Sequence, residues 1–187
     1  MAVGISPQLV TADDLLRMPP DDGFRYELIK GTVVKMTQPG FSHGVYSARL
    51  SAALFTFVEA RGLGLVTQEA GFKLESEPDT VRAPDVSFVS RERIGSTTLP
   101  RGYIQGAPDL AIEVLSPNDR PGYVRRKVND WLVHGARAVW VVDPERRTLT
   151  VYTPDGHARV LTADQTLEGG DLLPAFRFAL SRLFGDL

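Results

Sequence analysis

The sequence predicts an α/β protein, a mixed sheet flanked by helices, and three observations carry that prediction. Apolar spacing is helical up to Arg61 and then changes to short, strand-like runs. Two nearly continuous apolar runs, residues 110–115 and 138–142, bracket a helix-like stretch, the pattern of buried parallel strands joined by a crossover. Composition is that of an ordinary globular domain: 187 residues, 43% hydrophobic and 24% charged. No repeat, low-complexity tract or linker-like stretch divides the chain, so residues 1–187 read as one domain.

Taken in order, Thr11 reads as the N-cap of a helix over residues 12–16, with Asp13 and Asp14 in its first turn and Pro19-Pro20 as its stop. Residues 26–29 and 33–36 flank Lys30-Gly31, a hairpin signal. Ser42 is placed as the cap of a long helix ending at Arg61 and Gly62, with Val45, Ala48, Ala52, Phe55 and Val58 as its apolar stripe. Residues 65–67, 71–74 and 86–89 read as short strands separated by turns such as Glu77-Pro78-Asp79. Residues 110–115 form a central strand, broken by Pro117-Asn118-Asp119. A helix from about Pro121 to His134 follows and closes on Gly135. The strand 138–142 pairs with 148–152 across the turn at Asp143-Pro144. Val160-Leu161 and a short helix at Leu180–Phe184 complete the set.

Several function classes are excluded early. The chain has no cysteine, which removes disulfides, a thiolate nucleophile and Cys-ligated zinc or iron–sulfur sites. His43, His134 and His157 lie too far apart for a short-range metal motif. The first ten residues lack the features of a signal peptide, and no apolar run reaches membrane length, so a cytoplasmic location is expected. The 21 basic and 23 acidic residues leave a net charge of -2, and the stretch from Arg82 to Arg137 is mildly basic. That imbalance is weak for a dedicated polyanion binder.

Glu113 is the residue that does not suit its surroundings. A carboxylate in the middle of an apolar strand needs a cation, a hydrogen-bond network or a raised pKa. A structural partnership with an arginine would satisfy it, and so would a metal ion. Asp85 opens the strand 86–89, and two carboxylates on adjacent strands can share a hard divalent cation that prefers oxygen ligands.

The runs Arg82-Ala83-Pro84-Asp85-Val86-Ser87-Phe88-Val89 and Ala107-Pro108-Asp109-Leu110-Ala111-Ile112-Glu113-Val114-Leu115-Ser116-Pro117, then Lys127 and Ala138-Val139-Trp140-Val141-Val142-Asp143-Pro144, form an ordered set. Tyr26-Glu27-Leu28-Ile29-Lys30-Gly31, Ser42-His43 and Gly170-Asp171-Leu172-Leu173-Pro174 extend it over nearly the whole chain. This set resembles the Uma-type restriction endonuclease family of the PD-(D/E)XK nuclease superfamily. The resemblance implies a restriction-endonuclease-like core with flanking helices and extra β-hairpins. It also implies Mg2+-dependent cleavage of DNA, with Mn2+ as a substitute cation. Asp85 and Glu113 take the two metal-binding acid positions.

The superfamily lysine is replaced here, because Glu113-Val114-Leu115 places a leucine at its position. In the Uma-type pattern the lysine lies on the following helix, where Lys127 matches; the alternative is a solvated helix residue beside Arg125 and Arg126. Glu27 matches a further family acid that completes the ligand set or acts as a base, or else pairs on the surface with Lys30 or Lys35. His43 matches the family histidine, with phosphate contact, support of Glu27 or simple packing as its roles. Arg120, Arg125 and Arg126 are candidates for non-specific phosphate contacts.

Asp109 shares Glu113's face but stands roughly 13 Å away at strand rise, so it is read as a turn residue. Asp119 is expected as a helix cap, Asp130 as a surface charge, and Trp131 and Trp140 as core. The resemblance implies DNA as the partner, and cutting both strands makes a homodimer a candidate assembly. The rival expectation is a catalytically inactive nuclease-fold module that binds nucleic acid or protein.

Overall fold

The computed structural model describes residues 9–19, 24–95 and 98–185. The chain opens with α1 (Ala12–Arg17) and the hairpin β1 (Arg25–Ile29) and β2 (Thr32–Met36). The long helix α2 (Phe41–Arg61) leads into β3 (Gly64–Gln68), β4 (Phe72–Glu75), β5 (Thr80–Arg82) and β6 (Val86–Ser90). After α3 (Arg91–Ile94) come β7 (Ile104–Gln105), β8 (Leu110–Val114), α4 (Pro121–Val133), β9 (Ala138–Asp143) and β10 (Thr148–Tyr152). The described chain closes with β11 (Ala158–Thr162), the pair β12 (Thr166–Glu168) and β13 (Arg177–Ala179), and α5 (Leu180–Phe184).

The mixed α/β class is the predicted one, but the strands divide between sheets. One sheet has the order β2-β1-β5-β4-β7, a second β11-β10-β9-β8-β6-β3, and β12 and β13 form a separate ribbon. Pro84 lacks the N–H that a ladder needs, and the chain passes there from β5 in the first sheet to β6 in the second. β8 runs parallel to β9, with α4 between them in sequence, and antiparallel to β6. All five residues of β8 are buried, as its unbroken apolar run requires.

Alternate residues of the six-stranded sheet feed separate cores. Leu110, Ile112, Val114, Trp140 and Val142 belong to a core shared with α2 and α5. Ala111, Val139 and Val141 join Val128 and Trp131 of α4 and Phe72 of β4 in another. Glu113 shares the parity of Ala111 and so points toward α4.

Thr11 caps α1 as predicted, and Asp14 completes a reciprocal capping box with it. At α2 the expected cap is corrected. Gly40 is the N-cap and Ser42 lies inside the first turn. The buried stripe is also corrected, to His43, Ser47, Leu50, Leu54 and Val58, while Ala48 and Ala52 are exposed and Phe55 is 55% exposed. Both stripes have helical spacing; the one carrying two leucines buries more apolar surface than the one carrying two alanines. This rotation turns His43 inward. The short strands β5, β7, β12 and β13 were not anticipated, since runs of two or three residues are below the length at which alternation is legible.

Candidate active site

Asp85 and Glu113 meet through strand register. β6 and β8 pair Val86 with Ile112 and Ser87 with Ala111, so one further step outward sets Asp85 opposite Glu113 on the same face. The amide of Val114 donates to Asp85 Oδ2 at 2.7 Å, which ties the aspartate to the end of β8. The site therefore sits where the chain enters one central strand and leaves its neighbour.

α4 supplies the partners of Glu113. Lys127 Nζ donates to Oε2 and Trp131 Nε1 donates to Oε1, each at 2.7 Å. Lys127 and Trp131 are four residues apart, hence on one helical face, and both are buried. The Pro117-Asn118-Asp119 break and Pro121 at the first turn start α4 where this face meets the sheet.

Lys127 also lies 3.6 Å from Glu27 Oε1. Glu27, on β1, accepts from Arg82 Nη1 at 2.7 Å, and Arg82 binds Asp130 Oδ2 through Nη2 at 2.6 Å. The result is an alternating chain of charges, Asp130–Arg82–Glu27–Lys127–Glu113, that links β5, β1, α4 and β8.

The electrostatics follow from this crowding. Burial, reinforced by the charges of Asp85 and Glu27, pushes the Glu113 carboxyl up to about 7 despite the nearby ammonium. Burial also opposes the charge on Lys127, but Glu113 and Glu27 outweigh it and raise its pKa above the ordinary lysine value. Lys127 is therefore an ammonium. Burial pushes Asp85 up, yet the hydrogen bond and charge of His43, the charge of Lys127 and the Val114 amide hold it below the usual carboxylate value. His43 Nε2 lies 3.1 Å from Asp85 Oδ2; burial disfavours the imidazolium, but Asp85 holds its pKa above the ordinary value.

Asp85, Glu113, Lys127 and His43 all line one cleft of about 340 Å3, together with Arg25 and Tyr123. Glu27 is 2% exposed and stands behind Lys127, outside that lining. Of the candidate phosphate-binding arginines, Arg120 precedes α4 and Arg125 and Arg126 lie on its solvent side; all are exposed and none lines the cleft.

Asp109 accepts from the Ser90 amide at 2.8 Å and is a structural group at the far end of β8. Asp119 is not the cap of α4: it accepts from the Ser116 amide, and Arg120 occupies the N-cap position. Asp130 is not a surface charge, because Arg82 claims it. Trp131 is core as predicted, but its indole N–H also holds Glu113. Arg82, Trp131 and Tyr123 were missed as site residues. The four-residue step from Lys127 to Trp131 was the one signal for them in the sequence.

The opposed carboxylates of Asp85 and Glu113, oxygen donors only, fit a hard divalent cation that keeps waters and takes one or two carboxylates. Among the described residues no group of three His, Cys, Asp or Glu side chains is arranged to hold a metal by itself. The fit is thus to an ion completed by water and substrate oxygens.

A family model described as "Uma2: Putative restriction endonuclease" matches residues 12–181. A crystal structure described as a "putative nuclease belonging to DUF820", from Anabaena variabilis ATCC 29413, is similar in fold, with a TM-score of 0.78 at 23% sequence identity. The match covers 94% of this chain and 97% of that one. No curated protein matches the chain.

Proposed function

The chain belongs to the Uma2 family, and on that premise we propose that it is a Mg2+-dependent endonuclease that hydrolyses DNA phosphodiesters, with Mn2+ able to substitute. The observation that carries the reading is the buried Lys127 ammonium, brought back by α4 onto Glu113 beside Asp85 at one cleft.

Asp85 and Glu113 hold the cation, which supplies positive charge to the phosphate and to the attacking water. Lys127, being protonated, is not the base. It donates hydrogen bonds and offsets negative charge as the water oxygen bonds to phosphorus and loses its proton to bulk solvent, while the bond to the leaving nucleoside oxygen breaks and that oxygen takes a proton from solvent. Glu27 acts through Lys127, anchored in turn by Arg82. His43 orients Asp85 from α2, and its place in the cleft lining puts a ring N–H within reach of a bound phosphate. Arg120, Arg125 and Arg126 contribute phosphate contacts that give affinity without sequence readout.

The test is incubation of the protein with supercoiled plasmid and defined duplexes in Mg2+, Mn2+ or EDTA. Nicked or linear products with either cation and none in EDTA are expected, and Asp85→Asn should abolish them. Intact DNA under every condition would overturn the enzyme reading. The absence of a three-residue metal cluster among the described residues favours the rival, a nuclease-fold module that binds without cutting. That rival predicts DNA binding with no strand breaks.

A further inference from the structure

A groove on the flank of α2, against β13 and α5, is lined by Arg49, Arg61, Arg177 and Arg182, and none of the described residues lining it is acidic. On a chain whose net charge is -2, four arginines converge there. Two are prearranged on apolar ground: the Arg61 guanidinium lies 3.9 Å over the Phe57 ring, and that of Arg182 lies 5.5 Å over the Phe178 ring. Stacking fixes a guanidinium plane while leaving most of its N–H donors at the edge, the geometry that suits a phosphate. Arg49 is anchored to the carbonyls of Leu183 and Gly185, and Arg177 pairs with Glu168 at 3.0 Å, so these two frame the groove.

α2 connects this groove to the cleft. His43 lines the cleft near the helix start, Arg49 follows about 9 Å further along the axis and Arg61 about 27 Å along it. That span matches roughly eight base pairs of duplex at about 3.4 Å each. We propose that this groove is a track for the phosphate backbone of duplex DNA flanking the cleavage position, with Arg61 and Arg182 as its principal contacts. The proposal rests on the DNA-cleaving reading of the cleft and adds a second, remote contact region to it.

The test measures binding of a fluorescent 30-base-pair duplex by anisotropy in EDTA, between 50 and 200 mM salt. Four proteins are compared: the parental chain, Arg61→Ser/Arg182→Ser, Arg61→Lys/Arg182→Lys and, as a control, Arg17→Ser on α1. Each lost phosphate contact removes about 0.9 from the log–log salt slope, so the double serine variant should lose about 2. Its affinity should therefore fall about tenfold less than the parent's over that fourfold change in salt. The double lysine variant should keep most of the slope, and Arg17→Ser all of it. A parental protein that binds DNA, with an unchanged slope in the serine variant, would overturn the track while sparing the reading of the cleft. That result would assign the groove to another partner, such as an acidic protein surface. Absence of salt-dependent DNA binding by the parental protein would overturn the track, and cleavage in Mg2+ then decides the reading of the cleft by itself.

Discussion

At the residue scale, Glu113 shows what a single out-of-place acid can reveal. Its position in an apolar strand required a partner, and the structure provides two on α4. Sequence alone predicts that Glu113→Ala is neutral or slightly stabilising, because clustered acids repel. The contacts reverse that expectation. Removing Glu113 leaves Lys127 without its 2.7 Å partner, with Glu27 at 3.6 Å, and strands the buried Trp131 N–H. Breaking a buried ion pair from one side costs about 3–5 kcal/mol. Urea unfolding should show a loss of about 3–5 kcal/mol for Glu113→Ala and a smaller one for Glu113→Gln, whose single carbonyl oxygen keeps an acceptor for one of the two donors. Equal stability of all three proteins would contradict these contacts. Asp85 and Glu113 were legible because each is marked within its own strand, Asp85 at the start of one apolar run and Glu113 as the acid inside another. Arg82 and Asp130 were not, since their pairing depends on how α4 lies over β5.

At the element scale, α2 was legible in extent but not in rotation. Its end at Gly62, held at φ 60°, follows from glycine's freedom there, whereas two competing apolar stripes left its facing open. Leu54→Ala should therefore destabilise the fold by about 2–5 kcal/mol, while Phe55→Ala should change it by no more than about 0.5 kcal/mol. Thermal or urea denaturation of the two variants distinguishes the stripes, and the opposite ranking would restore the one read from sequence. Beside the packing of Ala12 and Leu15 on Leu28 and Val81, one acid ties α1 to the sheet. Asp79 accepts from the Ala12 amide at 2.7 Å and pairs with Lys73 at 2.8 Å, and these partners lower its pKa. A carboxyl lowered on folding stabilises fully above its unfolded pKa, about 3.9, and loses that contribution as pH falls through the folded value. The gap in urea midpoint between the parental protein and Asp79→Asn should be constant near neutrality and narrow below about pH 4. A gap that grows on acidification would contradict the assignment.

At the scale of the whole molecule, the class and the β8–α4–β9 unit were legible because long apolar runs and proline or glycine stops carry them. The division into separate sheets was not, because strands as short as β5 and β7 declare themselves only through their neighbours. The site is a product of that division. Pro84 passes the chain from one sheet to the other beside Asp85, β1 brings Glu27, and α4 brings Lys127. No single segment holds the constellation, which is why a lysine displaced from its strand can still reach the acids. The most direct test of this arrangement is single-turnover DNA cleavage by Lys127→Met, a substitution that keeps length and apolar volume, with Mn2+ affinity measured in parallel by calorimetry. The arrangement predicts a rate at least about 10²-fold below the parental one while the Mn2+ affinity is retained. Cleavage at the parental rate would contradict it.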